Sequence, residues 1–145
     1  MFWGGFWRQI FLIGMGLLLL PMIFYILTVR RALDRCARES RTIGPDLPWL
    51  LLIPLFNLFW HFYIVLGLSR SLGNEFQRRQ IQAETNPGLA LGLAVCILFL
   101  LGAFAGRFLG FVFLIAALVS WVLYWLKVGD LTAKLATPPP PPTVI

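Results

Sequence analysis

Apolar residues occur along this chain in four blocks, separated by shorter segments that carry nearly all of its charge. The blocks cover about residues 10–29, 49–68, 89–105 and 108–126. Each block is close to the roughly 20 residues with which an α-helix crosses a hydrocarbon core of about 30 Å. The pattern therefore predicts an all-α fold, an integral membrane four-helix bundle.

Two further features of the pattern complete the predicted domain. Only Gly106 and Arg107 separate the last two blocks, so spans 3 and 4 are predicted to form a tight helical hairpin. We assign residues 1–137 to a single membrane domain, and residues 138–145, which begin with a proline run, to a disordered tail. In the polar segment before span 3, Asn86 followed by Pro87 predicts a helix start.

The second block contains the only histidine of the chain. Asn57 and His61 are four residues apart, so their side chains share one face of a helix. Polar side chains at this depth are costly in contact with lipid, and we expect this face to point into the bundle. Counting about 1.5 Å per residue along each span also brings Cys96 and Ser120 to a similar depth. Two interpretations remain open: a functional polar cluster of all four residues, or hydrogen bonds that only join the helices.

Composition agrees with the membrane interpretation. The chain has 145 residues, of which 59% are hydrophobic and 12% charged, too few charged groups for the surface of a soluble domain of this size. The formal net charge of +6 would suit nucleic acid, but the basic residues flank the apolar blocks and no nucleic-acid-binding motif accompanies them. We therefore predict no nucleic-acid partner.

A strongly basic segment follows the first span. It is either a binding site for anionic lipid or a flank that only sets topology, and it contains Arg30, Arg31, Arg35, Arg38 and Arg41. Counted by alternating spans, the two sides of the membrane carry six basic residues each, so the total does not decide orientation. The basic flank of span 1 favours the loop after it inside and both termini outside.

Glycines recur at four-residue spacing in and around the last two spans. Without a Cβ, such residues let membrane helices approach closely, and the candidate packing positions are Gly88, Gly92, Gly102, Gly106 and Gly110.

Residues for catalysis or metal binding are missing from the pattern. No Asp or Glu lies within the four blocks, and no nucleophile elbow, phosphate loop or zinc-binding helix motif is present. The two cysteines, Cys36 and Cys96, indicate neither a disulfide framework nor a zinc site. We predict no enzymatic activity, no cofactor and no metal.

A longer stretch of the chain resembles a known family. The run RALDRCARESRTIGPDLPWLLLIPLFNLFWHFYIVLGLSRSLGNEF, with IPLFNLFWHF as its core, is similar to a family of small, uncharacterised bacterial membrane proteins. The similarity continues in GLALGLAVCILFL and VSWVLYWLKVGDLTAKL. It implies four spans and a location in the bacterial inner membrane, but no activity.

Two functions remain as hypotheses. The first is a structural or accessory membrane protein that contacts anionic lipids and associates with itself or with a larger membrane complex. The alternative is a protein that handles a small molecule or a lipid through the Asn57/His61 face.

Overall fold

The computed structural model describes residues 2–136, and every regular element within that range is helical, as predicted. One 3₁₀ segment, Leu47–Leu52, precedes the second α-helix. The helices are α1 (Phe2–Arg35), α2 (Pro54–Arg78), α3 (Leu89–Phe104) and α4 (Arg107–Lys134). The predicted tail, residues 138–145, lies outside the described range.

Helices α1 and α4 run parallel and in register. The Trp125 indole Nε1–H donates to Thr28 Oγ1 at 2.9 Å, and Arg35 Nη1 donates to the Thr132 carbonyl at 2.7 Å. Both pairs are separated by 97 positions, so equal steps along the two helices reach equal heights. The same offset makes Arg30 level with Lys127. It also makes Arg8, which lies about two turns after the start of α1, nearly level with Arg107.

Helix α2 also runs parallel to α1. Tyr25 meets His61 near the middle of the bundle, and beyond the end of α1 the Ala37 N–H donates to Glu75 Oε2 at 3.1 Å. The C-terminal ends of α1, α2 and α4 consequently lie together, and we call this side the basic end. The side that holds the α3–α4 connection and the start of α1 is the opposite end.

A non-helical return makes the parallel arrangement of α1 and α2 possible. Residues 36–53 run back along α2 from the basic end, through contacts from Asn74 to the Ser40 carbonyl (3.2 Å) and from Trp60 to the Leu47 carbonyl (3.0 Å). Between these, the hydroxyl of Thr42 donates to the Gly67 carbonyl at 2.8 Å. Because Asn57 and Leu18 line the same cavity, α2 begins about halfway along α1.

The predicted second span is thus not one continuous α-helix. Four alternating spans would place α1 and α2 antiparallel, whereas the structure has them parallel. Pro48 and Pro54 lack the N–H that an α-helix needs, and the chain forms a 3₁₀ turn between them with Ile53 extended. By length and hydropathy, two of the described helices, α1 and α4, can cross a membrane; α3 is apolar but has only 16 residues.

Helices α3 and α4 form the tight hairpin that the sequence indicated. Gly106, with φ of 78°, turns the chain between them and is the N-cap of α4. A Cβ on Gly110 would lie 2.8 Å from the Gly102 carbonyl oxygen, so the two backbones are in direct contact. A Cβ on Gly92 would lie 2.5 Å from Val65 of α2, so the lack of a side chain at Gly92 lets α3 pack closely against α2.

The start of α3 differs from its prediction. The helix begins at Leu89 with Gly88 as N-cap in the left-handed region (φ 72°), two residues after the predicted N-cap, Asn86. A residue with a Cβ is strained at this φ, whereas Gly88 adopts it readily. Asn86 does not have a positive φ.

A buried carboxylate connects the helices at the basic end. Glu75 of α2 is fully buried and accepts hydrogen bonds from Arg79 Nε at 2.6 Å, from Arg78 Nη2 at 2.8 Å and from the Ala37 N–H. Arg79 also donates to the carbonyls of Arg35 (3.2 Å) and Leu135 (3.1 Å). One ion-paired group therefore contacts the ends of α1, α2 and α4.

The titration of Glu75 reflects this environment. Burial acts to raise the pKa of the carboxyl group, but hydrogen bonds from Arg78, Ser40, Arg79 and the Ala37 N–H outweigh it and lower the pKa to about 2. Burial, with Glu75 nearby, raises the pKa of the adjacent Cys36 thiol to about 12. Glu75 is thus ionised and Cys36 is a neutral thiol at any physiological pH.

Candidate functional site

A cavity of about 380 Å³ lies where the four α-helices meet. Its volume falls in the range of about 300–1,000 Å³ that is usual for small-molecule sites. The lining is mostly aliphatic and aromatic, and it consists of Leu18, Met22, Asn57, Leu58, His61, Cys96, Phe99, Leu114, Leu118 and Trp121. The lining contains no Asp, Glu, Lys or Arg, so the cavity carries no formal charge when the His61 ring is neutral.

Three of the four residues of the predicted polar cluster line this cavity: Asn57, His61 and Cys96. The fourth, Ser120, is half-buried and is not among the lining residues, although its neighbour Trp121 is. One residue along an α-helix turns the side chain by about 100°, which separates Ser120 from the face that Trp121 presents. Residues at equal depth along their spans therefore need not face the same cavity.

Asn57 contributes a side-chain amide to the lining of the cavity. It is half-buried on the first turn of α2, and its side-chain amide forms no hydrogen bond within residues 2–136. An amide can donate two hydrogen bonds and accept two, so this side chain has its full capacity available.

His61, one turn later, is held from outside the cavity. The Tyr25 hydroxyl oxygen is 2.9 Å from His61 Nε2, and the two rings meet edge to face with centroids 5.7 Å apart. His61 is 5% exposed, and its Nδ1 forms no hydrogen bond to any part of the chain that the structure describes. The contact with Tyr25 fixes the ring against α1 and leaves the other nitrogen for a ligand.

Tyr25 is the residue that the sequence interpretation missed. Its side chain has no exposed surface and contacts an aromatic group of α4, with ring centroids at 5.4 Å to Trp121, 6.2 Å to Tyr124 and 6.3 Å to Trp125. These three aromatic residues look like an interfacial belt in the sequence, yet Tyr124 is buried and all three pack on Tyr25. Tyr25 and Thr28 are the two side chains with a hydroxyl group in the second half of span 1, and this was the available signal.

The five basic residues after the predicted first span, of which Arg30, Arg31 and Arg35 belong to α1, divide into two groups. Three make contacts at the basic end: Arg30 with Asp34 (3.8 Å) and Asp46 (3.5 Å), Arg35 with Thr132, and Arg41 with the Cys36 carbonyl (2.9 Å). Arg31 and Arg38 are exposed and form no hydrogen bond or ion pair within the described part of the chain. These two guanidinium groups can contact an external anion.

The side chains that line the cavity offer apolar surface and hydrogen-bonding groups for binding. No group of three His, Cys, Asp or Glu side chains suited to a metal occurs among residues 2–136. His61 lies next to a hydrogen-bond partner but next to no carboxylate, and the nearest nucleophilic group in the lining is the Cys96 thiol. The arrangement supports recognition of a largely apolar molecule by the Asn57 amide and the His61 ring.

Comparison with known proteins adds no assignment. No protein-family model matches the chain, and neither curated proteins nor solved structures give a significant match.

Proposed function

We propose that this chain is a multi-pass integral membrane protein, of the bacterial inner-membrane type, with an accessory rather than an enzymatic role. The observation that supports it most is a pair of charged levels along α1 and α4. Arg8 and Arg107 are at nearly equal heights near the opposite end, and Arg30 and Lys127 are at equal heights near the basic end. The levels are about 30 Å apart, the thickness of a hydrocarbon core.

The surface between the two levels supports the same proposal. Large apolar side chains there are exposed on α1 and α4, for example Leu18 (67%), Phe111 (64%) and Leu126 (65%). Water would make such a continuous apolar surface very costly, whereas lipid chains solvate it.

The proposed topology has three crossings and one half-membrane hairpin. Helix α1 crosses from the opposite end to the basic end, α3 returns and α4 crosses again. Residues 36–78 enter from the basic end as far as Pro54 and leave on the same side through α2. Irregular backbone at this depth is tolerated because Ile43, Pro48 and Leu51 are buried and the segment hydrogen-bonds to α2 through Thr42 and Trp60.

The proposed topology also predicts an orientation. Of the twelve Lys and Arg residues, Arg8 and Arg107 lie at the opposite end and the other ten lie at the basic end. By the positive-inside tendency the basic end faces the cytoplasm. The loop after span 1 is then inside, as the sequence favours, but the C-terminal end of α4 is inside with it.

For the accessory role, we propose contact between the basic end and anionic headgroups of the cytoplasmic leaflet. Arg31 and Arg38 are the exposed residues suited to it, and each basic side chain near such a surface contributes about 1 kcal/mol. Association with a second copy or with a larger membrane complex belongs to the same proposal. The cavity favours a second candidate, ligand handling through Asn57 and His61.

Cysteine labelling tests the proposed membrane topology. The natural thiols are unsuitable reporters because Cys36 and Cys96 are buried, so single cysteines are placed in a Cys36→Ala, Cys96→Ala background. Glu39→Cys and Gln82→Cys report the basic end, and Gly5→Cys and Phe104→Cys report the opposite end. An impermeant maleimide should label the cysteines at positions 5 and 104 in intact cells. It should label those at positions 39 and 82 only after lysis.

The two loops at the basic end make the experiment decisive. Four alternating spans place residues 39 and 82 on different sides, so labelling of only one of them in intact cells contradicts three crossings. Release of the chain from membranes by alkaline carbonate contradicts integral insertion altogether.

A further inference from the structure

We propose that the cavity binds an uncharged, largely apolar molecule through a carbonyl oxygen. The proposal rests on the membrane position argued above, since it takes the ligand from the hydrocarbon region. The ligand accepts hydrogen bonds from two side chains of the cavity, Asn57 and His61.

The depth of the cavity restricts the ligand. Leu18 in its lining is about 15 Å from Arg8 and about 18 Å from Arg30 along α1, near the middle of the apolar layer. Charged headgroups do not reach this depth without a large free-energy cost, and the lining offers no opposite charge to offset it. A phosphate, carboxylate or ammonium group at the polar end of the cavity is therefore excluded.

The hydrogen-bond pattern selects an acceptor. The Tyr25 hydroxyl is fully buried and has His61 Nε2 as its hydrogen-bond partner among the described residues. If Nε2 carried the ring proton, the tyrosine proton would be buried without an acceptor, which costs about 1–3 kcal/mol. Tyr25 therefore donates to Nε2, and the neutral ring carries its proton on Nδ1.

Two donors are thus available to a ligand within one helical turn. His61 presents Nδ1–H, and Asn57 presents its amide N–H groups, which have no partner within residues 2–136. In a site without bulk water, one carbonyl oxygen with two lone pairs can accept from both. An alcohol fits less well, because its own proton would need the Asn57 oxygen while its oxygen served the two donors.

The rest of the lining suits the body of such a ligand. Phe99 and Trp121 provide aromatic surface, and Met22, Leu114 and Leu118 provide aliphatic surface open towards lipid. Two membrane components offer a carbonyl on an apolar body: a quinone ring with an alkyl or isoprenoid tail, and the ester of an acyl lipid. The experiment distinguishes them.

Isotope-edited infrared spectroscopy can test the hydrogen bonds directly. The full chain is placed in nanodiscs of ether-linked lipids, which contain no carbonyl, and is titrated with ¹³C-carbonyl decyl-benzoquinone or with ¹³C-carbonyl methyl dodecanoate. Hydrogen bonding lowers the C=O stretching frequency, so the bound probe should show a shifted, saturable band that the empty nanodisc lacks. Competition with excess dodecane, which has no carbonyl group, measures how far apolar contact alone displaces the bound probe.

Matched variants assign the donors. Asn57→Leu and His61→Phe should each weaken binding about tenfold, because one hydrogen bond in an apolar site is worth about 1.4 kcal/mol. Asn86→Leu, in the exposed loop before α3, should bind as the natural chain does. Leu118→Trp, which leaves both donor residues in place and adds side-chain volume to the lining, should also weaken binding, and circular dichroism verifies that each variant is folded.

The outcomes separate the two proposals. A shifted band with the quinone alone or with the ester alone supports the site and identifies its source. No saturable shift with either probe, or an Asn57→Leu variant that binds with unchanged affinity, overturns it. Cysteine labelling measures topology without any ligand, so a failure of the site leaves the three-crossing proposal standing.

Discussion

Glu75 differs from the other five acidic residues because it is fully buried while they are exposed. Replacing Glu75 with Gln should lower the free energy of unfolding by about 2 kcal/mol, since hydrogen bonds to a charged group are each worth about 1.5–3 kcal/mol. Glu39→Gln, on an exposed side chain close by, should change it by less than about 0.5 kcal/mol. Unfolding in mixed detergent micelles, followed by circular dichroism, compares the two, and equal effects would contradict the role of Glu75.

The same carboxylate predicts an acid dependence. Its pKa in the folded protein is about 2, below the ordinary value of 4.5, so the folded state binds this proton less readily than the unfolded state does. The stability that results is fully present above pH 4.5 and decreases as the pH falls towards 2. The difference in unfolding free energy between the natural chain and Glu75→Gln should therefore shrink over that window, and a difference independent of pH would argue against an ionised Glu75.

Single residues also show what the sequence can and cannot predict about the site. Asn57 and His61 are recognisable because polar groups in an apolar block are unusual, and the i, i+4 spacing correctly predicts a shared face. The Tyr25 contact is not recognisable, because it depends on how α1 sits beside α2. Spacing within one helix does not contain that information.

At the scale of elements, the close contact of α3 and α4 predicts opposite effects for two glycines of one helix. Gly110→Ala places a methyl group 2.8 Å from a backbone oxygen of Gly102, which cannot move aside without shifting α3. We expect a loss of about 1–3 kcal/mol. Gly129→Ala meets nothing within 4 Å and should be neutral or stabilising by up to about 1 kcal/mol.

Resistance to thermal unfolding in detergent, measured for both alanine variants, checks the pair. A Gly110→Ala protein as stable as Gly129→Ala would mean that the two backbones are farther apart than the structure has them.

The second apolar block marks the limit of pattern-based prediction at this scale. Hydropathy locates the block and helical periodicity describes its second half, because α2 is regular from Pro54 onward. The first half is equally apolar, yet Pro48 and Pro54 convert it into a 3₁₀ turn that packs beside α2. Hydropathy measures affinity for lipid and is insensitive to whether a block crosses the bilayer or turns back, so the parallel α1–α2 pair was not predictable from it.

At the scale of the whole molecule, the C-terminal end of α4 is predicted to stabilise the bundle. A chain that stops after Leu131 loses the Thr132 and Leu135 carbonyls, which accept from Arg35 and Arg79. We expect a loss on the order of 3 kcal/mol from these two charge-assisted hydrogen bonds. A chain that stops after Ala136 keeps every contact described above and should unfold as the full chain does.

Denaturation of the two truncated chains, measured side by side in the same micelles, gives the comparison. Equal stability of both would contradict the contribution of the basic end to the bundle.

The contacts of the basic end also determine the order in which the protein can be built during synthesis. Arg35 and Arg79 donate to the carbonyls of Thr132 and Leu135, which are synthesised only after α1, α2 and α3. Until α4 has been made, these two hydrogen bonds cannot form, and the ion pair of Arg79 with Glu75 is the contact that α2 supplies by itself. The basic end can therefore close only after most of the helical bundle has been synthesised.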